Sequence, residues 1–70
     1  MMTVDVSRLK TLIREKGKTY EQVGRAAGMN RDTFTRRLKS GGMDFTISEI
    51  YAMAEFIPLS KEELLEIFFQ

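Results

Sequence analysis

Two short helix-forming segments separated by a glycine constrain the fold of this chain more than any other feature. Residues 19–38 read TYEQVGRAAGMNRDTFTRRL. Thr19 and Gln22 have the T-x-x-Q spacing of a capping box, which starts a helix by satisfying two of its free N–H groups. Gly28 interrupts the helical pattern, and Asn30 can cap a second helix. The sequence therefore predicts two short helices joined by a tight turn.

A tight crossing of two short helices requires small residues where they meet and a glycine in the turn. This segment supplies the small residues Gly24, Ala26, Ala27 and Gly28, together with the apolar side chains Val23, Met29 and Phe34. Glycine inside a helix costs about 0.5–1 kcal/mol relative to alanine. We therefore expect the second helix to approach Gly24 closely, and the segment predicts a helix-turn-helix.

Apolar periodicity predicts three more helices and no strand. Helix 1 begins near Asp5 or Ser7 and ends at Gly17. Helices 4 and 5 each begin at a capping box, Thr46 with Glu49 and Ser60 with Glu63, and Pro58 prevents helix 4 from continuing. The predicted inner faces are Leu9, Leu12 and Ile13 in helix 1, Ile47, Ile50, Ala54 and Ile57 in helix 4, and Leu64, Leu65 and Phe68 in helix 5. We expect residues 1–70 to form one compact, all-α, five-helix domain.

Composition argues against several functional classes. The chain has no cysteine and no histidine, so a zinc site and the usual nucleophile–base pairs are not expected, and we predict neither an enzyme nor a metal or other cofactor. No apolar run approaches the ~18 residues of a membrane span, and no signal-peptide pattern opens the chain. We therefore expect a cytoplasmic protein without a membrane partner.

The net charge of +1 conceals an uneven distribution. Between Arg8 and Gly41 ten basic residues face three acidic ones, whereas from Gly42 to Gln70 six acidic residues face one basic residue. Such asymmetry is typical of a protein with one end on a polyanion. Two ordinary solvated faces explain the charge pattern equally well.

These features together resemble the Cro/repressor-type helix-turn-helix family of small phage and bacterial regulators. The resemblance lies in LKTLIREKGKTYEQVGRAAGMNRDTFTRRL, in the GGMDFTISEI turn into helix 4 and in the closing PLSKEELLEIF. It covers nearly the whole chain. Three positions depart from the usual pattern, because the family commonly has leucine, glutamine and alanine where this chain has Lys18, Tyr20 and Gly24. Leu38 also lies one residue later than is usual.

The resemblance implies a lambda-repressor-like domain in which helix 3 enters the major groove of an operator in double-stranded DNA. The expected base-reading residues are Arg31, Asp32, Thr33, Thr35 and Arg36. The arginines can bind guanine O6 and N7 bidentately. Asp32 can accept a hydrogen bond from cytosine N4, or it can orient Arg36 four residues later.

Phosphate contacts are expected around the amino terminus of helix 2 and the two ends of helix 3. The residues assigned to them are Lys18, Thr19, Tyr20, Asn30, Arg37, Lys39 and Ser40. Asn30 divides its side chain between capping and phosphate. We favour plain solvated charges for Lys10, Arg14, Lys16 and Arg25.

Helix 5 has more apolar residues than one face can bury. We expect Ile67 and Phe69, with Tyr51 and Glu55 of helix 4, to form a homodimer or partner surface; the alternative is that helix 5 folds back onto Met1, Met2 and Val4. The predicted function is a sequence-specific DNA-binding transcriptional regulator, and the resemblance implies that it is a homodimer, as the family usually is. The alternative function is an antirepressor that binds a partner repressor protein through the same fold and its acidic carboxyl-terminal helices.

Overall fold

The computed structural model describes residues 3–69, which form five α-helices and no strand. The helices are α1 (Val6–Glu15), α2 (Tyr20–Ala26), α3 (Arg31–Lys39), α4 (Ile47–Phe56) and α5 (Lys61–Phe68). The predicted all-α, five-helix architecture is therefore confirmed. Over the described part of the chain, no helix has the length and hydropathy that a membrane crossing requires.

Each helix begins at a side chain that accepts a hydrogen bond from a backbone N–H three residues later. The caps are Asp5, Thr19, Asn30, Thr46 and Ser60. All three predicted capping boxes are present, because the side chains of Gln22, Glu49 and Glu63 also accept from the N–H of their own caps. Since the first N–H groups of a helix have no partner within it, these caps fix where each helix starts.

The turn between α2 and α3 has the hydrogen bonds of a Schellman motif. The N–H of Met29 donates to the carbonyl of Gly24 (2.9 Å), and the N–H of Gly28 donates to the carbonyl of Arg25 (3.0 Å). Gly28 has φ +80°, a left-handed conformation that glycine adopts without strain. The turn directs α3 back across α2, which is consistent with the predicted helix-turn-helix.

α3 and the turn before it approach α2 closely at Gly24. A β-carbon at this position would lie 3.1 Å from Cβ of Phe34 and 3.2 Å from the carbonyl oxygen of Met29. Val23 and Phe34 are both fully buried beside this contact. The expected close approach of α3 to Gly24 is therefore confirmed.

The core lies between all five helices and the loop before α4. It consists of Leu9, Leu12, Ile13, Val23, Phe34, Leu38, Phe45, Ile50, Met53, Ile57, Ile67 and Phe68. The ring of Phe34 is at its centre and contacts the rings of Tyr20 (5.8 Å between centroids) and Phe45 (5.7 Å). The predicted inner face of α1 is fully confirmed.

The predicted inner face of α5 was wrong in one position. Ile67 is 0% exposed and belongs to the core, whereas Leu65 is 46% exposed. Both Leu64–Leu65–Phe68 and Leu64–Ile67–Phe68 have helical spacing, so periodicity could not choose between them. The carbonyl of Ile67 also accepts the N–H of Asp5 (2.8 Å), which ties α5 to the segment before α1.

The inner face of α4 also differs from the prediction. Ile47 is 57% exposed, and Met53, which was not predicted, is fully buried. Ile50, Met53, Ala54 and Ile57 supply the core with i, i+3, i+4, i+7 spacing. Ile47 lies in the first turn of α4, one turn before Tyr51 on the exposed side.

Candidate nucleic-acid interface

The exposed side of α3 carries most of the residues predicted to read bases. Phe34 and Leu38 point into the core, and Asp32, Arg36 and Lys39 are exposed. With Arg31 and Thr35, the exposed residues line a shallow groove along the helix. The structure therefore brings four of the five predicted base-reading residues together with Lys39. Thr33, which is half-buried, does not line this groove.

Three cations on this face have no partner among residues 3–69. The guanidinium groups of Arg31 and Arg36 and the ammonium of Lys39 make no hydrogen bond or ion pair within the part of the chain that the structure describes. Asp32 forms no ion pair with Arg36 there, so the predicted orienting contact is not present. Arginines held on a helix without internal partners can donate to an external acceptor at no cost in broken contacts.

The residues predicted to contact phosphate have several different environments. The hydroxyl of Thr19 accepts the N–H of Gln22 (3.1 Å), and the side-chain oxygen of Asn30 accepts the N–H of Thr33 (2.8 Å). The hydroxyl of Ser40 donates to the carbonyl of Arg36 (3.0 Å). In the structure these three polar side chains form hydrogen bonds at the ends of helices. Their predicted contacts with DNA phosphates stay a prediction.

Lys18 and Tyr20 are partly engaged with apolar neighbours. The ammonium of Lys18 lies 4.6 Å from the centroid of the Phe56 ring at the end of α4. The ring of Tyr20 packs edge-on against Phe34, so the tyrosine at the start of α2 also extends the core. A cation over an aromatic face is stabilised by the ring quadrupole, which holds Lys18 on the α4 side of the molecule.

Arg37 has a structural environment that the sequence did not reveal. Its Nη1 atom donates to a carboxylate oxygen of Glu49 (2.7 Å) and to the carbonyl of Asp44 (3.3 Å). The guanidinium also lies 5.9 Å from the centroid of Phe45. Arg37 therefore links α3 to the loop before α4 and to the first turn of α4.

Lys16 forms the matching contact at the other end of the molecule. Its ammonium donates to Glu63 (2.9 Å) and to the carbonyl of Pro58. Lys16 is therefore a half-buried ion-pair partner and not the plain solvated charge that we favoured from the sequence. In both contacts the acid is the third residue of its helix and the acidic member of the capping box, so one carboxylate binds both the helix start and a basic side chain from another part of the chain.

The two capping-box acids have lowered pKa values. The hydrogen bond from the N–H of Thr46 is the main cause that lowers the pKa of Glu49, and Arg37 adds to it. The N–H of Ser60 and then the ammonium of Lys16 lower the pKa of Glu63 to about 2. Both carboxylates are therefore ionised at neutral pH.

Some of the basic and acidic residues that cause the charge asymmetry form ion pairs with each other. Among residues 3–69, three ion pairs join the basic half to the acidic half: Arg8 with Glu66 (3.8 Å), Lys16 with Glu63 and Arg37 with Glu49. Sequence reasoning missed these pairs because the partners are far apart in the chain. The groove on α3 retains its positive charge, since none of the three basic partners belongs to it.

The predicted partner surface is only partly exposed. Tyr51 is 64% exposed, Phe69 is 41% exposed and Glu55 is exposed, but Ile67 is completely buried and is excluded from any such surface. Val4 packs against the core, whereas Phe69 remains exposed; the fold-back alternative also involves Met1 and Met2, which lie outside the described residues, and it stays a prediction. Ile47 and Leu65 are exposed apolar residues that the prediction did not include.

Comparison of the chain with protein-family models, curated proteins and solved structures found no match.

Proposed function

We propose that this protein is a sequence-specific double-stranded DNA-binding regulator that reads the major groove with the exposed side of α3. The observation that carries the proposal is the groove on α3, where the guanidinium groups of Arg31 and Arg36 have no partner among residues 3–69 and lie beside Lys39. An α-helix with its side chains is about 10–12 Å in diameter, so α3 can enter the ~12 Å wide major groove of DNA. A DNA-binding role implies a cytoplasmic location.

The buried side of α3 supports this proposal, because a reading helix needs a fixed orientation. Phe34 and Leu38 anchor one side of α3, the close approach at Gly24 fixes its contact with α2, and the Asn30 cap fixes its first turn. A side chain on a rigid element loses less conformational entropy on binding than one on a mobile loop. The three cations are therefore presented on a preorganised support.

The proposal is tested by fluorescence anisotropy on a duplex selected by the wild-type protein. Arg36→Ala and Arg31→Ala should each weaken binding by about 1–3 kcal/mol, which is roughly 5- to 150-fold, because each loses a bidentate base contact. Lys10→Ala and Arg14→Ala are matched controls, since both residues are exposed basic residues of α1. These controls should change the affinity by less than about threefold.

Two outcomes would contradict the proposal. The first is equal losses from the α1 and α3 variants, which would indicate attraction by net charge alone. The second is that the wild-type protein binds no duplex even at low salt, where counterion release favours binding most strongly.

We further propose that the regulator acts as a homodimer. Two pairs of exposed apolar residues have i, i+4 spacing: Ile47 and Tyr51 on α4, and Leu65 on α5 with Phe69, the residue that follows α5. Exposed apolar side chains in such clusters are typical of partner surfaces. Sedimentation of Tyr51→Glu and Phe69→Glu with operator DNA tests the two pairs separately, and wild-type mass for both variants would count against a dimer at either.

The same exposed pairs, on the acidic half of the chain, favour a second candidate function as an antirepressor. Such a protein would bind duplex DNA weakly or not at all alone. It would form a complex with a partner repressor, and Tyr51→Glu or Phe69→Glu would disrupt that complex while Arg36→Ala would not.

A further inference from the structure

The contacts of Arg37 connect the proposed reading helix to the start of α4. Both hydrogen bonds come from a single guanidinium nitrogen, Nη1, and reach Glu49 and the carbonyl of Asp44. That nitrogen carries two protons, so its donors are fully used. The side chains of Arg37 and Glu49 are 29% and 19% exposed, and the pair is therefore largely withdrawn from solvent.

Glu49 is held as firmly as Arg37. One of its oxygens accepts both the guanidinium and the N–H of Thr46 (2.8 Å), and its own N–H donates to the hydroxyl of Thr46 (3.1 Å). The carboxylate therefore cannot follow Arg37 to a new position without breaking the capping box. A rotation of α3 that brought Arg37 toward DNA would also break its hydrogen bond to Glu49.

The position of Arg37 on α3 also indicates that it points toward α4 and away from the exposed groove. Successive residues of an α-helix are 100° apart, so Arg37 lies about 100° around the axis from both Arg36 and Leu38. Arg36 lies on the exposed groove, and Arg37 lies on the side that faces the loop and α4. Arg37 is thus placed to fix the rotation of α3 about its own axis.

We propose that Arg37 is a positioning residue: its ion pair with Glu49 sets the rotation of α3 that presents Arg31 and Arg36 to DNA. The inference rests on the proposed DNA-binding function. It replaces the sequence-based assignment of Arg37 to a phosphate. Glu49, an acid on the helix after the reading helix, thereby becomes a residue on which DNA affinity depends.

A neutral variant of Glu49 distinguishes a positioning role from a purely electrostatic effect, because the two predict opposite changes in DNA affinity. Removing a negative charge near DNA should strengthen binding if charge alone matters. If Glu49 positions Arg37, Glu49→Gln should weaken binding even though the protein becomes more positive. Glutamine is suitable here because it retains the capping box, as Gln22 does in α2.

The experiment is a double-mutant cycle on binding to a selected duplex, with Arg37→Gln, Glu49→Gln and the double variant. Each single variant should weaken binding by about 3- to 30-fold, and the double variant should be no weaker than the worse single variant. The salt dependence of binding should keep the wild-type slope in Arg37→Gln, because no phosphate contact is lost. Arg37→Lys should recover part of the loss, since one ammonium can still pair with Glu49.

The second ion pair supplies a matched control. Lys16→Gln and Glu63→Gln remove the same kind of contact, between a basic side chain and a capping-box acid, at the junction of α1 and α5. These variants should lower stability but change DNA affinity by less than about threefold. All measurements are made well below the midpoint of thermal unfolding of each variant, with helix content checked by circular dichroism.

Each result decides for or against the positioning role. Binding as tight as wild type or tighter in Glu49→Gln would overturn it, as would a reduced salt slope in Arg37→Gln. An equal loss of affinity in the Lys16 and Glu63 variants would assign the effect to stability alone and would also overturn it. If the wild-type protein binds no duplex, the proposed function itself has failed, which is distinct from a failure at Arg37 and Glu49 alone.

Discussion

The crossing of α2 and α3 at Gly24 predicts an unusual response to Gly24→Ala. Alanine normally stabilises a helix interior by about 0.5–1 kcal/mol relative to glycine. Here the added methyl group would lie 3.1 Å from Cβ of Phe34, 3.2 Å from the carbonyl oxygen of Met29 and 3.3 Å from that of Asn30. Ordinary contacts of a β-carbon are 3.4–4 Å, so α3 and the turn must shift by a few tenths of an ångström.

Two opposing contributions determine how much Gly24→Ala changes the free energy of unfolding. Overpacking a filled site typically costs about 1–3 kcal/mol, and the gain in helix propensity offsets about 0.5–1 kcal/mol of this. The Met29 carbonyl belongs to the turn that the Gly24–Met29 hydrogen bond closes, so it cannot move alone. We expect a net destabilisation of about 1 kcal/mol, which lowers the melting temperature of a domain of this size by about 4–8 °C.

Urea and thermal unfolding followed by circular dichroism measure this effect. Lys10 provides the reference, because it is an exposed residue inside α1, and the difference between Lys10→Ala and Lys10→Gly reports propensity alone. Gly24→Leu adds three further carbon atoms to the same closed contact and should lose most of the stability. The close approach of α3 to Gly24 would be refuted if Gly24→Ala raised the free energy of unfolding by as much as the difference between Lys10→Ala and Lys10→Gly.

Three further perturbations follow from the structure. Phe34→Ala should cost about 3–5 kcal/mol, a large share of the ~4–10 kcal/mol expected for a chain of this length; a loss below about 1.5 kcal/mol in chemical denaturation would contradict its central place in the core. The pKa of Glu63 is lowered from 4.5 to about 2, so its stabilising effect is complete above pH 4.5 and is lost as the pH falls toward 2. Urea midpoints between pH 7 and pH 2 should fall less steeply in Glu63→Gln than in wild type, and parallel curves would argue against the role of the carboxylate. Lys39→Ala should weaken binding to specific and random duplexes alike and reduce the salt slope by about 0.9, whereas a loss confined to one sequence would make Lys39 a base reader.

The sequence predicted the starts of the helices well because the caps are local. Thr19 with Gln22, Thr46 with Glu49 and Ser60 with Glu63 each specify a helix start within four residues, and all three boxes are present. Local hydrogen bonds of this kind require no knowledge of the rest of the fold.

Orientation about a helix axis was predicted less well where apolar residues outnumber core positions. Residues 64–69, at the end of α5 and just after it, read LLEIFF, so several different faces have acceptable spacing, and Ile67 was predicted to be exposed although it is buried. The carbonyl of Ile67 accepts a hydrogen bond from the N–H of Asp5, a contact between residues far apart in the chain. Periodicity within one helix contains no information about such a contact.

In the candidate site, too, local features were predictable from the sequence and contacts between distant residues were not. The exposed face of α3 followed from the spacing of Phe34 and Leu38, which fixes the opposite side of the helix. The partners of Arg37 and Lys16 could not be predicted from the sequence, because Glu49 and Glu63 lie 12 and 47 residues away in the chain. Only the packed structure distinguishes a basic residue that serves the fold from one that is available to a ligand.

The most direct test of the proposed function is the selection of bound sequences from a random duplex pool at near-physiological salt. Sequence-specific binding predicts an enriched motif, and binding as a homodimer predicts two half-sites about 10 base pairs apart, which is one turn of the DNA helix. Arg31→Ala and Arg36→Ala should each relax the selection at one position of a half-site. A pool that shows no enrichment after repeated rounds with wild-type protein would contradict sequence-specific DNA binding by α3.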